Sequence, residues 1–260
     1  MPLPQSLDRF TTLVEIIALL RSPEGCPWDR KQTHESLRKN LLEEAYEVLE
    51  AMDEADMDKL SEEFGDLLLQ IVLHSQIAKD NGEFTVDDVI RKINEKLIYR
   101  HPHVFGDTKV RDAEEVTVNW EELKKNKRRK EASVLDGVPA SMPALAYSQA
   151  VQGRVARIGF DWQEDSGVLE KMAEEIDEFK AAGSQQQKEE EFGDILFTLA
   201  NFARRQGIDL ESALRKSNRR FYKRFSAMEE FCRQRGLDFS KLSFDEQNEL
   251  WEEAKQSLGE

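Results

Sequence analysis

Apolar residues along this chain recur at intervals of three and four. Leu7, Phe10, Val14 and Ile17 step that way, as do Leu41, Ala45, Val48 and Met52, and again Leu169, Met172, Ile176 and Phe179. That period lays an apolar stripe along one side of a helix and leaves the remaining circumference polar. Few segments show the alternation of a half-buried strand. The pattern therefore predicts an all-α protein, built as two repeated helical-bundle domains over residues 1–123 and 144–260. Between them, Lys124–Pro143 opens with a basic run (Lys124, Lys125, Lys127, Arg128, Arg129, Lys130) and closes with the helix breakers Gly137, Pro139 and Pro143. It reads as a solvated linker.

The polar positions repeat as well. Glu-Glu-Phe-Gly-Asp stands at Glu62–Asp66 and again at Glu190–Asp194. Ahead of each copy lies a second acidic cluster: Glu43, Glu44 and Glu47 in the first half, Glu174, Glu175 and Glu178 in the second. The surroundings run in parallel too. A loop with Pro27-Trp28-Asp29 precedes the first acidic helix and Gly159-Phe160-Asp161-Trp162 the second. Asn94, Lys96 and Arg100 are echoed at the same offsets by Asn218, Arg220 and Arg224. A duplication accounts for matching features in one order better than coincidence does.

Carboxylates three apart on a helix stack on one face. Two such helices side by side gather four of them, a charge of roughly −4 that does not persist half-buried without a cation. Oxygen ligands without histidine or cysteine select a hard divalent ion, Mg2+ first and Mn2+ as a substitute. Glu44 and Glu47 flank the stripe of Leu41, Ala45 and Val48, and Glu63 and Asp66 flank Phe64, Leu67 and Ile71, so both sets lie where helices meet. Gly65 and Gly193 fall in mid-helix, where glycine costs about 1 kcal/mol, and suggest a close backbone approach. An ordinary charged surface is the competing explanation in a chain with 34% charged residues. Redox iron is disfavoured, because carboxylate-bridged iron sites use Glu-x-x-His and Asp66 and Asp194 stand where the histidine belongs.

Lys96 with Arg100, and Arg220 with Arg224, form i, i+4 cationic pairs suited to polyphosphate. Trp28, Phe160 and Trp162 are aromatic candidates for stacking on a base, or packing plugs. His74, His101 and His103 read as structural, and Cys26 and Cys232 lack an activating neighbour. A net charge of −15 and a pI near 4.9 argue against nucleic-acid or membrane-surface binding. Two well-separated cysteines fit a reducing, cytoplasmic setting, and neither a leader nor a membrane span is apparent.

These motifs together resemble the MazG family of nucleoside triphosphate pyrophosphohydrolases, within the all-α superfamily that includes all-α dUTPases and phosphoribosyl-ATP pyrophosphatase. The resemblance covers nearly the whole chain in the two-repeat bacterial form. It rests on Gly25-Cys26-Pro27-Trp28-Asp29 with Gln32-Thr33, both acidic sets, Arg100-His101-Pro102-His103-Val104-Phe105, Gly159-Phe160-Asp161-Trp162, and the helix with Asn218, Phe221, Arg224 and Phe225. It implies magnesium-dependent hydrolysis of nucleoside triphosphate to monophosphate and pyrophosphate, as nucleotide-pool housekeeping, by a homodimer.

Carried over by position, the metal ligands would be Glu44, Glu47, Glu63 and Asp66, then Glu175, Glu178, Glu191 and Asp194. Glu43 and Glu174, about 100° round the helix, would orient or deprotonate the attacking water. Arg220 and Arg224, or Lys96 and Arg100, would offset charge on the leaving pyrophosphate, with Asn94, Asn218, Trp28, Phe160 and Trp162 contacting substrate. The second repeat is favoured for the chemistry. Arg219, Arg220, Lys223 and Arg224 form a denser cationic set than Lys92, Lys96 and Arg100, and Pro102 should end the first repeat's helix directly after its arginine. A non-catalytic nucleotide-sensing or scaffold bundle, or a helical adaptor, is the alternative at this stage.

Overall fold

The computed structural model describes residues 6–112, 115, 116, 119 and 133–259. Every long regular element among them is an α-helix, and the chain divides into two compact units, Met1–Arg129 and Lys130–Glu260. The basic run expected to open the linker lies outside the described residues.

In the first unit the helices are α1 (Phe10–Leu20), α2 (Pro27–Lys31), α3 (Arg38–Glu54), α4 (Met57–Asp80), α5 (Val86–Arg100) and the short α6 (Pro102–Phe105). The apolar period overestimates the reach of α1: it starts at Phe10, and Leu7 is left exposed. Pro27, read as loop, instead opens α2, because its fixed φ suits the first helical position. The acidic helices α3 and α4 form a tight hairpin. Ala55 ends α3 in the left-handed region (φ 55), and the Asp56 carboxylate accepts from the Lys59 amide to cap α4. The core lies towards the other end of α4, where Ile17, Leu37, Val72, Leu73 and Ile77 pack together. Thr85 and Asp88 cap α5 reciprocally, and α5 stops at Arg100, ahead of Pro102.

The second unit contains α7 (Ala144–Ala156), α8 (Asp165–Ala181), α9 (Gln185–Arg205), α10 (Leu210–Arg235), a 3-10 turn (Phe239–Lys241) and α11 (Phe244–Ser257). Helices α8 and α9 repeat the acidic pair, with Ser184 and Gln187 forming a capping box at the start of α9. Gln152 of α7 donates to the Phe197 carbonyl on α9 (2.8 Å), and Gln149 ties down the start of α10 through Ile208 and Leu210. Further along, α10 packs on α11 around Met228, Cys232, Leu250 and Ala254.

The apolar stripes are only half used within each unit. Val48 and Ala51 of α3 are buried, whereas Leu41, Leu42 and Met52 remain exposed. Phe64, Leu68 and Ile71 on α4 are exposed, as are Phe192, Leu196 and Phe197 on α9. Gly65 and Gly193 lie on open helix surface: a Cβ at either would meet nothing within 4 Å. Among the described residues the close backbone approach expected from these glycines is absent within each unit, and none of their elements covers that stretch of the hairpin.

Candidate metal centres

The α3–α4 hairpin places two turns of carboxylates opposite one another. One oxygen each of Glu44, Glu63 and Asp66 lies within 4.8 Å of the others. Burial, followed by the charges of Asp66 and Glu47, pushes the Glu44 carboxyl above its ordinary range. Burial and Glu47 do the same to Glu63. These shifts mark negative groups that repel each other in a partly desolvated place. The buried Gln70 amide donates weakly to Glu44 (3.4 Å). Glu47 is exposed and outside this triad, although its charge is felt there, and Glu43 is exposed too.

In the second unit the triad is Glu175, Glu178 and Glu191, again within 4.8 Å of one another. Its composition differs: Glu178, the third glutamate of the acidic cluster on α8, joins, whereas Asp194 of α9 stays outside and exposed. Glu175 is only 5% exposed. Its charge is met by the Lys171 ammonium, 2.9 Å from Glu175 and 2.8 Å from Glu174. Hydrogen bonds from Lys171 to Glu174 and then Glu175 hold that ammonium protonated well above its usual range. Burial, then Glu191, raises Glu178. Both triads offer hard oxygen donors on two paired helices, with surplus negative charge, so the residues fit a small divalent cation.

The cationic candidates are spread along α5 and α10. Asn94 and Lys96 are exposed and Arg100 ends α5 partly buried; Asn218 and Arg220 are exposed on α10. The Arg224 guanidinium lies over the Trp251 indole, 5.1 Å from its centroid, and Phe221 packs against the same ring at 5.6 Å. Trp251 is the residue that reading the sequence missed. It belongs to α11, beyond the last paired motif, so repeat matching gave it no signal.

Of the aromatic candidates, Trp28 on α2 and Phe160 in the loop before α8 are exposed, at 58% and 77%. Trp162 lies against the first turns of α8, where a Cβ on Gly167 would come within 2.6 Å of its indole. That loop is clamped to the end of α9. Arg204 pairs with Asp161 and Arg205 with Asp165, both at 2.6 Å, and Arg205 also donates to the Trp162 carbonyl. Burial pushes the Asp161 carboxyl up, but the Arg204 hydrogen bond and charge, the Trp162 amide and Arg205 bring it below the usual range. The first unit has a simpler counterpart: Arg21 pairs with Asp80 at 2.7 Å and donates to the carbonyls of Asp29 and Gln32.

His74, read as structural, has a partner that spacing did not reveal. Its Nδ1 lies 2.7 Å from Nδ1 of His34, 40 residues away, in rings inclined by 1°. The pair joins the loop before α3 to α4. His101 contacts the Leu97 carbonyl at the end of α5, and Cys232 is a free core thiol.

Comparison with known proteins assigns the two halves separately. The model of the MazG nucleotide pyrophosphohydrolase domain matches residues 32–105, and that of phosphoribosyl-ATP pyrophosphohydrolase matches residues 157–221. Each stretch spans one acidic helix pair. Over 247 residues the chain is 48% identical to the Thermotoga maritima protein named nucleoside triphosphate pyrophosphohydrolase/pyrophosphatase MazG, covering 95% of both. It is 40% identical over 257 residues to an Escherichia coli nucleoside triphosphate pyrophosphohydrolase, covering 96% of this chain and 98% of that one. The crystal structure of a MazG-related protein from Thermotoga maritima aligns with 44% of this chain and 98% of its own at 36% identity, with a TM-score of 0.39.

Proposed function

The chain belongs to the MazG family and is a nucleoside triphosphate pyrophosphohydrolase, and we propose that it acts with magnesium at its paired carboxylate clusters and tolerates many bases. The observation that carries this reading is the repetition. In each unit an acidic helix pair brings three carboxylates within 4.8 Å of one another. Glu44, Glu63 and Asp66, supplemented by Glu47, would hold the cation in the first unit; Glu175, Glu178 and Glu191, with Asp194, would hold it in the second. When bound, a divalent ion supplies Lewis-acid polarisation of phosphoryl oxygens and neutralises part of the triphosphate charge.

The chain's own groups supply the rest. Water attacks phosphorus, a new P–O bond forms, and the bond to the oxygen bridging the α- and β-phosphates breaks. Pyrophosphate leaves with that electron pair. Glu174, or Glu43 in the first unit, sits beside the ligands and accepts the water proton. Arg220 and Arg224, or Lys96 and Arg100, compensate charge on the departing pyrophosphate. Asn94 and Asn218 lie on the same helices to contact substrate. Phe160, Trp162 and Trp28 offer ring faces, which stack on any base, and Trp251 beside Arg224 offers another. Such tolerance suits nucleotide-pool housekeeping in the cytoplasm. No helix among the described residues is long and apolar enough to cross a membrane.

The exposed apolar faces support a homodimer as part of this proposal. Phe64, Leu68 and Ile71 in the first unit, and Phe192, Leu196 and Phe197 in the second, each form apolar surface beside an open glycine. A second copy would bury such surface self-complementarily. A monomeric mass by light scattering at micromolar concentration would remove this part of the proposal.

The decisive measurement is a panel of nucleoside triphosphates with magnesium, scored for monophosphate and pyrophosphate. Several bases should be cleaved, monophosphates should be inert, and excess chelator should abolish turnover. Magnesium or manganese should restore it, and calcium should do so poorly. Full activity in chelator would end the metal reading. A preference above about a thousandfold for one base would require a dedicated polar pocket and end the base-tolerant one.

A further inference from the structure

The two carboxylate triads differ in what balances them. Lys171 stands four residues before Glu175 and three before Glu174, on the same face of α8, and its ammonium bridges both at 2.9 and 2.8 Å. Counting back by the same offsets from Glu44 and Glu43 gives Asn40, which carries no charge. On the first hairpin Lys59 is engaged with Glu50 and Glu54 at 3.0 and 3.2 Å and acts on Glu63 through its charge alone. Glu44 is met instead by the neutral amide of Gln70.

We propose that Lys171 is a positioning residue that serves as the second centre's resident counter-ion. Its ammonium holds Glu174 and Glu175 together in the metal-free protein and opposes the divalent cation that the same carboxylates bind. The proposal rests on the metal reading above. It makes the two centres unequal: an ammonium already bridges two carboxylates of the second, whereas among the described residues no ion pair reaches the first, where Lys59 acts on Glu63 through charge alone. A divalent ion entering the second centre must displace this ammonium or share a carboxylate with it, and either route costs affinity. With the ion bound, the displaced ammonium remains beside Glu174, close enough to orient that carboxylate.

The test uses the full chain with the first centre disabled by Glu44→Gln and Glu63→Gln, titrated with Mn2+ and read by electron paramagnetic resonance of the free ion. Adding Lys171→Met should tighten Mn2+ binding at the remaining centre about tenfold. Lys171→Arg, which keeps the charge, should bind like the parent. Thermal melting supplies a second readout. Lys171→Met should melt lower than the parent in chelator and gain more from saturating Mn2+, as linkage requires of a tighter site. Unchanged or weaker Mn2+ affinity in Lys171→Met, with the parent still binding, would overturn the counter-ion role alone. Absence of Mn2+ binding in every variant would overturn the metal reading and this proposal with it.

Discussion

The two acidic hairpins share one motif and reach different electrostatic solutions. In the first, Glu44, Glu63 and Asp66 converge and the hydrogen-bond partner of Glu44 is an amide. In the second, Glu175, Glu178 and Glu191 converge and an ammonium bridges Glu174 and Glu175. Motif spacing decides which helices bring carboxylates together, because i, i+3 and i, i+4 positions share a face whatever surrounds them. Residues outside the motif decide how the charge is balanced and accompany a different choice of third carboxylate. Lys171 and Asn40 lie only three or four residues before the first motif glutamates, yet they separate a centre with a bridging ammonium from one with a neutral amide, while burial and like charge push carboxyls up in both, Glu44 and Glu63 in the first and Glu178 in the second.

The largest test of this comparison is functional. Glu178 lies inside its triad, whereas Glu47 lies outside the corresponding one. If the second unit carries the chemistry, Glu178→Gln should lower turnover by roughly a thousandfold, since metal-borne stabilisation amounts to several kcal/mol. Glu47→Gln should leave most of it. Steady-state kinetics on variants with unchanged far-UV dichroism decides the matter. Loss confined to Glu47→Gln reverses the assignment of the active unit.

Much of this architecture was legible in the chain. The three-and-four periodicity yields helices, and the duplicated Glu-Glu-Phe-Gly-Asp yields two hairpins with acidic residues at their seam. What escaped depends on tertiary geometry. The His34–His74 bond joins residues with no helical relation, and Trp251 meets Arg224 only because α11 folds back along α10. The mid-helix glycines pointed to close packing, but in each unit they border open surface beside Phe64 and Phe192. Local pattern can mark a face for contact without telling whether this unit or another copy supplies the contact.

The loop clamps extend the comparison to stability. Arg21 ties its loop to Asp80 and two carbonyls, with a side chain 8% exposed. The second unit spreads its clamp over more side chains, with Asp161 held by Arg204 and Arg205, and Asp165 by Arg205 and Gln206. Arg21→Met should therefore cost its unit roughly 2–3 kcal/mol, because the partners of a buried guanidinium are left unmatched. Arg205→Met should cost the second unit clearly less, with Arg204 and Gln206 still in place. Calorimetric melting of the two variants checks the order. Equal losses would mean that the doubled clamp provides no redundancy.

The smallest expected effect is a difference in acid sensitivity. Burial, then the neighbouring His34, holds His74 below its ordinary pKa of 6.5. A histidine depressed in the folded state stays neutral there while the unfolded chain takes up protons, so its contribution is intact above that value and declines as pH falls towards the folded pKa. The second unit's carboxylates act lower on the scale. Arg205 and Gln206 hold Asp165 below 3.8, and Asp161 is also below it despite its burial, so their contribution is present above 3.8 and lost as pH falls through the folded values. Glu44 and Glu63 work the other way: raised above 4.5, they favour folding as they take up protons. The histidine term must therefore be isolated by substitution. Between pH 7 and 5, His74→Leu should flatten the decline in melting temperature by an amount on the order of a few degrees, whereas Asp161→Asn should leave that window untouched and flatten the decline below pH 4. If His74→Leu keeps the parental slope, the histidine pair is no source of acid sensitivity, and the contrast between the units narrows to their carboxylates.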